Sequence, residues 1–218
     1  MNKIFSFIII TFTLLIMSNV ESKGQACSCP DSVTYTKTSQ MIQYNSNCFV
    51  IVEFCYFCSP ATLERSIFIC NIIIPWNQAG CSWDGVDIGS QVFWETIYVS
   101  LIKKLPSLSG CEDYEPCGVY PCDGPFPNRF VEIKKAACFR RVVNPILFQT
   151  EIIPCQTDAI CKIEYCVCWN GTDYTVNKLN SSEIGTSGCV KRVIGVGGGY
   201  LDPLNPNPSP DACFSPCY

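Results

Sequence analysis

The chain has 218 residues, with 18 cysteines and no histidine, and carries 15 cationic against 19 anionic side chains for a net charge of −4. The absence of histidine excludes Ser-His-Asp and Cys-His catalysis and imidazole metal sites. The acidic balance argues against nucleic acid as a partner, because phosphate binding needs a basic surface.

The chain opens Met1-Asn2-Lys3 and then runs apolar over residues 4–17. A short cationic start, a brief apolar core and a polar continuation are the parts of a secretory signal peptide. The run is shorter than the roughly 20 residues a spanning helix needs, so the expectation is export without an anchor. Small side chains at both recognition positions place cleavage after Ser22 or after Ala26, the second being preferred. Residues 1–26 are read as the signal, and the other 192 hold every cysteine. These are Cys27, Cys29, Cys48, Cys55, Cys58, Cys70, Cys81, Cys111, Cys117, Cys122, Cys138, Cys155, Cys161, Cys166, Cys168, Cys189, Cys213 and Cys217. An even number in an exported chain predicts nine disulfides. A chain of this length also buries a core of its own. Bridges worth about 2–4 kcal/mol each therefore add to that core, as suits harsh surroundings.

Residues 33–38 (VTYTKT) read as a strand from their β-branched and aromatic content. Residues 48–58 read as the next, with Val50, Val52, Phe54 and Tyr56 on one face and Ile51, Glu53, Cys55 and Phe57 on the other. A turn at 59–62 leads to a β-branched run over 65–74. Residues 90–105 form the one amphipathic helix: Trp94, Ile97, Tyr98, Leu101, Ile102 and Leu105 make a single apolar stripe. Ser90 caps its start, Lys103 and Lys104 suit the negative end of its dipole, and Pro106 stops it. Residues 107–128 have the texture of an irregular loop stapled by cysteines, and 129–143 read as extended.

Residues 162–176 hold the clearest local signal, two alternating runs joined by Asn170-Gly171, the preferred two-residue hairpin turn. That turn pairs Trp169 with Thr172, Val167 with Tyr174 and Tyr165 with Val176. The tail from Gly195 is Gly-rich, then Pro- and Asn-rich, and fits no regular element. The basic cluster Lys134, Lys135, Arg140 and Arg141 splits between two faces and reads as solvated surface.

At an offset of 111 residues the chain echoes itself: Gln40-Met41-Ile42 meets Glu151-Ile152-Ile153, and Val52-Glu53-Phe54-Cys55 meets Ile163-Glu164-Tyr165-Cys166. The fold class expected is mainly β, disulfide-rich and sandwich-like, with the helix near 90–105. The domain reading is a β module over 27–110, a Cys/Pro-rich connector over 111–136 and a second β module over 137–218. A single domain over 27–218 is the alternative.

Chemistry has few candidates. Cys55-Tyr56-Phe57-Cys58 resembles a redox motif in spacing alone. Such a site needs its first thiol at a helix N-terminus, and here the pair follows a strand directly and faces opposite ways, so two structural cross-links are expected. Zinc needs a second close pair, which is missing. Asp84, Asp87, Glu112, Asp113 and Glu115 lack calcium-loop spacing and read as solvated loop acids. Asp84 and Glu95 beside Trp83 and Trp94 carry a faint suggestion of a carbohydrate site. Asn170 and Asn180 head glycosylation sequons. No catalytic, metal or cofactor residue is assigned. The function expected is a secreted (in a bacterium, periplasmic) structural or binding protein of surface, matrix or adhesion type. Its partner would be a protein or a carbohydrate. The alternatives are a carboxylate-dependent glycan-active enzyme and a thiol oxidoreductase at Cys55/Cys58.

Overall fold

The computed structural model describes residues 28–30, 33–59, 61, 64–83, 86, 88–111, 130–155, 159–169, 172–185 and 217. In chain order they form β1 (Thr36–Gln43), β2 (Phe49–Cys58), β3 (Arg65–Pro75), helix α1 (Gln91–Lys104), a 3₁₀ turn (Leu105–Ser107), β4 (Phe130–Ala136), β5 (Phe139–Asn144), β6 (Gln149–Pro154), β7 (Ile160–Trp169) and β8 (Tyr174–Ile184).

All eight strands belong to one sheet in the order β1-β2-β3-β4-β7-β8, with a branch in which β6 pairs with both β3 and β5. β3 is the branch point. Its first half, Arg65 to Ile69, pairs in parallel with Val131 to Lys135 of β4. Its second half, Ile72 to Pro75, pairs antiparallel with β6. Strands from both halves of the chain thus share one sheet, and the layer packed on its inner face is α1.

The helix forms where the apolar stripe and its caps require. Ser90 Oγ accepts a hydrogen bond from the Phe93 amide, Lys103 and Lys104 occupy the last turn, and Phe93, Trp94, Ile97, Tyr98, Leu101 and Ile102 are buried. Pro106 does not stop the chain outright but carries it into the 3₁₀ turn. Six strands laid flat would hold the outermost pair about 24 Å apart, about twice a helix diameter. Yet α1 contacts both β1 and β8, so the sheet bends around it. Two ion pairs tie the helix to the β8 side, Lys178–Glu95 at 3.6 Å and Lys103–Asp173 at 2.5 Å.

Strand alternation holds through a bulge. On β2 the buried inner residues run Val50, Val52, Phe54 and Tyr56, while on β3 they run Ile67, Ile69, then Ile72 and Ile74. That change of parity is produced by a register shift at Glu53/Phe54, where Cys70 is the extra residue of β3. Without it, one end of β3 would turn its isoleucines outward. The same device recurs at Glu164/Tyr165, where Leu179 is the extra residue of β8. The two bulges stand 111 residues apart, the offset at which the sequence echoes itself.

Several sequence expectations shift. The first strand begins at Thr36 and runs on to Gln43. From Phe130 the expected extended stretch is two strands, β4 and β5, broken at Ala137-Cys138, and β6 is a further strand that the sequence pattern does not signal. The β7–β8 hairpin is out of the expected register by two: Trp169 faces Tyr174, Val167 faces Val176 and Tyr165 faces Lys178. Residues 170–173 therefore connect the strands, and this register places Lys178 and Asp173 where they meet the helix.

Candidate binding surfaces

The Cys55/Cys58 question is answered by strand parity. Cys55 lies on the outer side of β2 and bonds to Cys29, while Cys58 turns the other way and bonds to Cys111 just beyond the helix. Cys48 bonds to Cys81 and Cys161 to Cys217. Cys70, Cys138 and Cys155 are disulfide-bonded as well. Cys166 is buried on β7. Cys27, Cys117, Cys122, Cys189 and Cys213, the side chain of Cys168, the loop acids Asp84, Asp87, Glu112, Asp113 and Glu115, and Asn170 lie outside the described residues. Asn180 is exposed on β8. Among the described residues no group of three acids and cysteines could hold a metal ion.

The two tryptophans of the suggested carbohydrate site are core residues. Trp83 is 3% exposed and stacks on Tyr44 at 5.6 Å. Trp94 is fully buried, donates its indole N–H to the Ile88 carbonyl at 2.9 Å and packs 4.8 Å from Phe139. Neither offers a face to a sugar.

Lys135 overturns the solvated reading of the basic cluster, since it is fully buried and Arg141 is 6% exposed. Alternation along β4 puts Lys135 on the same face as Val131 and Ile133. Its ammonium sits 4.5 Å from the Trp94 ring centre, 5.3 Å from that of Phe139 and 3.7 Å from Cys161 Sγ. The rings favour the charged form, but burial dominates and pushes the ammonium well below the usual lysine value, with the Glu183 charge opposing that shift.

Among the described residues two clefts are open to solvent. One, of about 380 Å³, opens on the outer face where β3 meets β4, with Tyr35, Phe57 and Phe130 beside Glu64, Glu132 and Glu164. Tyr35 lies over Phe57 at 5.9 Å and donates its hydroxyl to Ser66 Oγ at 3.0 Å. Its strand carboxylates, Glu132 and Glu164, are paired within the sheet. Glu132 pairs with Lys134 and with Lys162 (2.5 Å), and Lys162 also reaches Glu164 at 3.2 Å. Burial pushes the Glu132 carboxyl up, but the hydrogen bonds from Lys134 and Lys162 prevail and hold it below the usual range. The bond to Glu132 raises Lys162 in turn.

The other cleft, of about 530 Å³, runs between β1 with its following turn and the last turns of α1. Met41, Ile42 and Phe49 supply apolar surface, and Lys103 and Lys104 supply charge. The sequence hid this groove, because the two lysines read locally as partners of the helix dipole. The bend of the sheet brings β1 beside them.

No family model matches the chain, and neither a curated protein nor a solved structure matches it.

Proposed function

We propose that the protein is an exported, disulfide-braced binding protein of surface, matrix or adhesion type, without catalytic chemistry and without a cofactor. The observation that carries this reading is sulfur usage: eleven described cysteines are disulfide-bonded, and bridges at this density form in oxidising compartments. Among the described residues no helix is long and apolar enough to cross a membrane. The glycan-enzyme alternative needs a carboxyl kept protonated as a general acid. Glu132, central to the outer cleft, is held the opposite way by two lysines. The oxidoreductase alternative needs Cys55 and Cys58 to bond each other, and each is committed to a different segment. In a glycosylating host, exposed Asn180 is the sequon position this reading favours.

The test is to express the full chain in an exporting host, sequence the N-terminus of the released product and titrate thiols before and after denaturation. The expected result is a product starting at Cys27 or Lys23, with nearly all cysteines resistant to alkylation. A chain retained in the cytosol with most of its cysteines alkylated would overturn the reading. So would glycan hydrolysis abolished by Glu132→Gln.

A further inference from the structure

The β1–α1 groove is opposite in sign to the net charge of the chain. The whole chain carries −4, yet among the described residues this groove is lined by Lys103 and Lys104 and by no carboxylate. Lys103 also reaches Asp173, while Lys104 is exposed and forms no ion pair with a described residue. The groove is also bordered by a strand edge. Among the described residues β1 pairs on one side only, with β2, so alternate backbone groups on its other side have no ladder partner there. Met41 is 60% exposed at the same place, above buried Ile42.

The wall facing the helix is rigid before anything binds. Cys48 is bonded to Cys81 at the end of the β1–β2 turn. Within the turn, Asn45 Oδ1 accepts from the amides of Asn47 (3.1 Å) and Cys48 (2.8 Å), and the Asn47 side-chain amide donates to the Gly80 carbonyl at 3.1 Å. A site held in place loses little freedom on binding.

Resting on the reading of a binding protein, the geometry points to an occupant: an extended acidic peptide segment of a partner protein, added as a strand beside β1. Its backbone would take the open edge, an apolar side chain would settle against Met41 and Phe49, and its carboxylates would face Lys103 and Lys104. This is strand addition, in which main-chain bonds give affinity and alternate side chains give specificity. A sulfated or uronate oligosaccharide satisfies the lysines but leaves the apolar floor and the strand edge unused. A flat bilayer does not enter a concave groove.

The test uses the full released chain and a fluorescein-labelled decapeptide of alternating valine and glutamate, followed by anisotropy. Three comparison ligands are a valine–lysine twin, an acidic peptide N-methylated at alternate residues, and a uronate oligosaccharide. Expected are binding of the acidic peptide alone, at least tenfold weakening on raising salt from about 50 to 500 mM, and at least tenfold loss in Lys104→Glu with retention in Lys104→Arg. Lys104 is exposed, so circular dichroism of both variants should match the parent. Failure of the acidic peptide to bind, equal binding of its lysine twin, indifference to Lys104→Glu or to N-methylation, or preference for the oligosaccharide would each overturn the proposal. Export and bridge formation are measured separately, so failure here leaves the broader reading standing. A chain that stays reduced inside the cell fails that reading whatever the groove binds.

Discussion

In the β1-β2-β3 half of the sheet the central strand is fastened by sulfur, and in the β4-β7-β8 half it is fastened by charge. The halves are laid out alike. Opposite Glu53/Phe54 of β2 and Glu164/Tyr165 of β7 the neighbouring strand bulges, and each of these two central strands lies between antiparallel neighbours. On β2, however, Cys55 and Cys58 tie the strand to Cys29 and Cys111. On β4 and β7, Glu132 holds Lys134 and Lys162 and the bridge sits at the end of the strand, Cys161–Cys217. The bulge glutamates show the same contrast: Glu53 accepts from the neutral Asn71 amide at 3.4 Å, whereas Glu164 pairs with Lys162. A covalent brace ignores pH and salt but yields to reductant. An ionic brace does the reverse. One sheet, braced two ways, should therefore weaken by halves under different conditions.

The largest effect belongs to sulfur. Removing the Cys58–Cys111 bridge as a double serine variant should cost about 4 kcal/mol, the loop-entropy value for its 53-residue separation. Denaturant unfolding at low and high salt should show the same loss, and a loss below about 1 kcal/mol would mean sulfur is not what holds the first half. Next is Lys135→Met, which replaces a buried ammonium with an apolar side chain of similar length. Stability at pH 7 should rise by about 2 kcal/mol. The unfolded chain keeps this lysine protonated up to about pH 10.5, while the folded chain releases the proton earlier. Between the folded value and 10.5 the unfolded state binds more protons, so parental stability climbs with pH in that window. The variant should lose the climb, and a variant equally steep would show that Lys135 is not its source.

Smaller is Glu132→Gln in the second half, expected to cost about 1 kcal/mol at neutral pH and low salt. Because the folded Glu132 carboxyl is lowered, its stabilisation is complete above the unfolded value of about 4.3 and fades as pH falls through the folded one. Parent and variant should converge in acid and in high salt, and persistence of the gap there would remove charge as the brace. Smallest is Asp173→Asn. Asp173 is fully exposed, and Lys103 holds its carboxyl low, so its loss should leave the melting temperature within experimental scatter.

Local pattern announced α1, β2 and β3 because each carries its own evidence: a capped stripe of period 3.6, or a β-branched run with a consistent parity. β6 carries little, since Gln149–Pro154 is short and ends in proline, and it becomes a strand by lying along the free half of β3. Lys135 was visible in principle. Starting β4 at Phe130 makes Val131, Ile133 and Lys135 one face, but two adjacent lysines suggest solvent before they suggest alternation. The groove had no local signal, because its walls, residues 41–49 and 100–104, are far apart in the chain and meet only through the curvature of the whole sheet.

β3 draws its neighbours from three stretches of chain: β2 just before it, β4 from residue 131 and β6 from residue 149. Its ladder cannot close until more than half of the polypeptide has been made. Until then Ile67, Ile69, Ile72 and Ile74, all fully buried at the end, wait along an open hydrophobic margin. Pairings of such long range close slowly, and the waiting intermediate is prone to self-association. Yield in production should therefore depend on how promptly the C-terminal half follows the N-terminal half, more than on how firmly the finished molecule holds together.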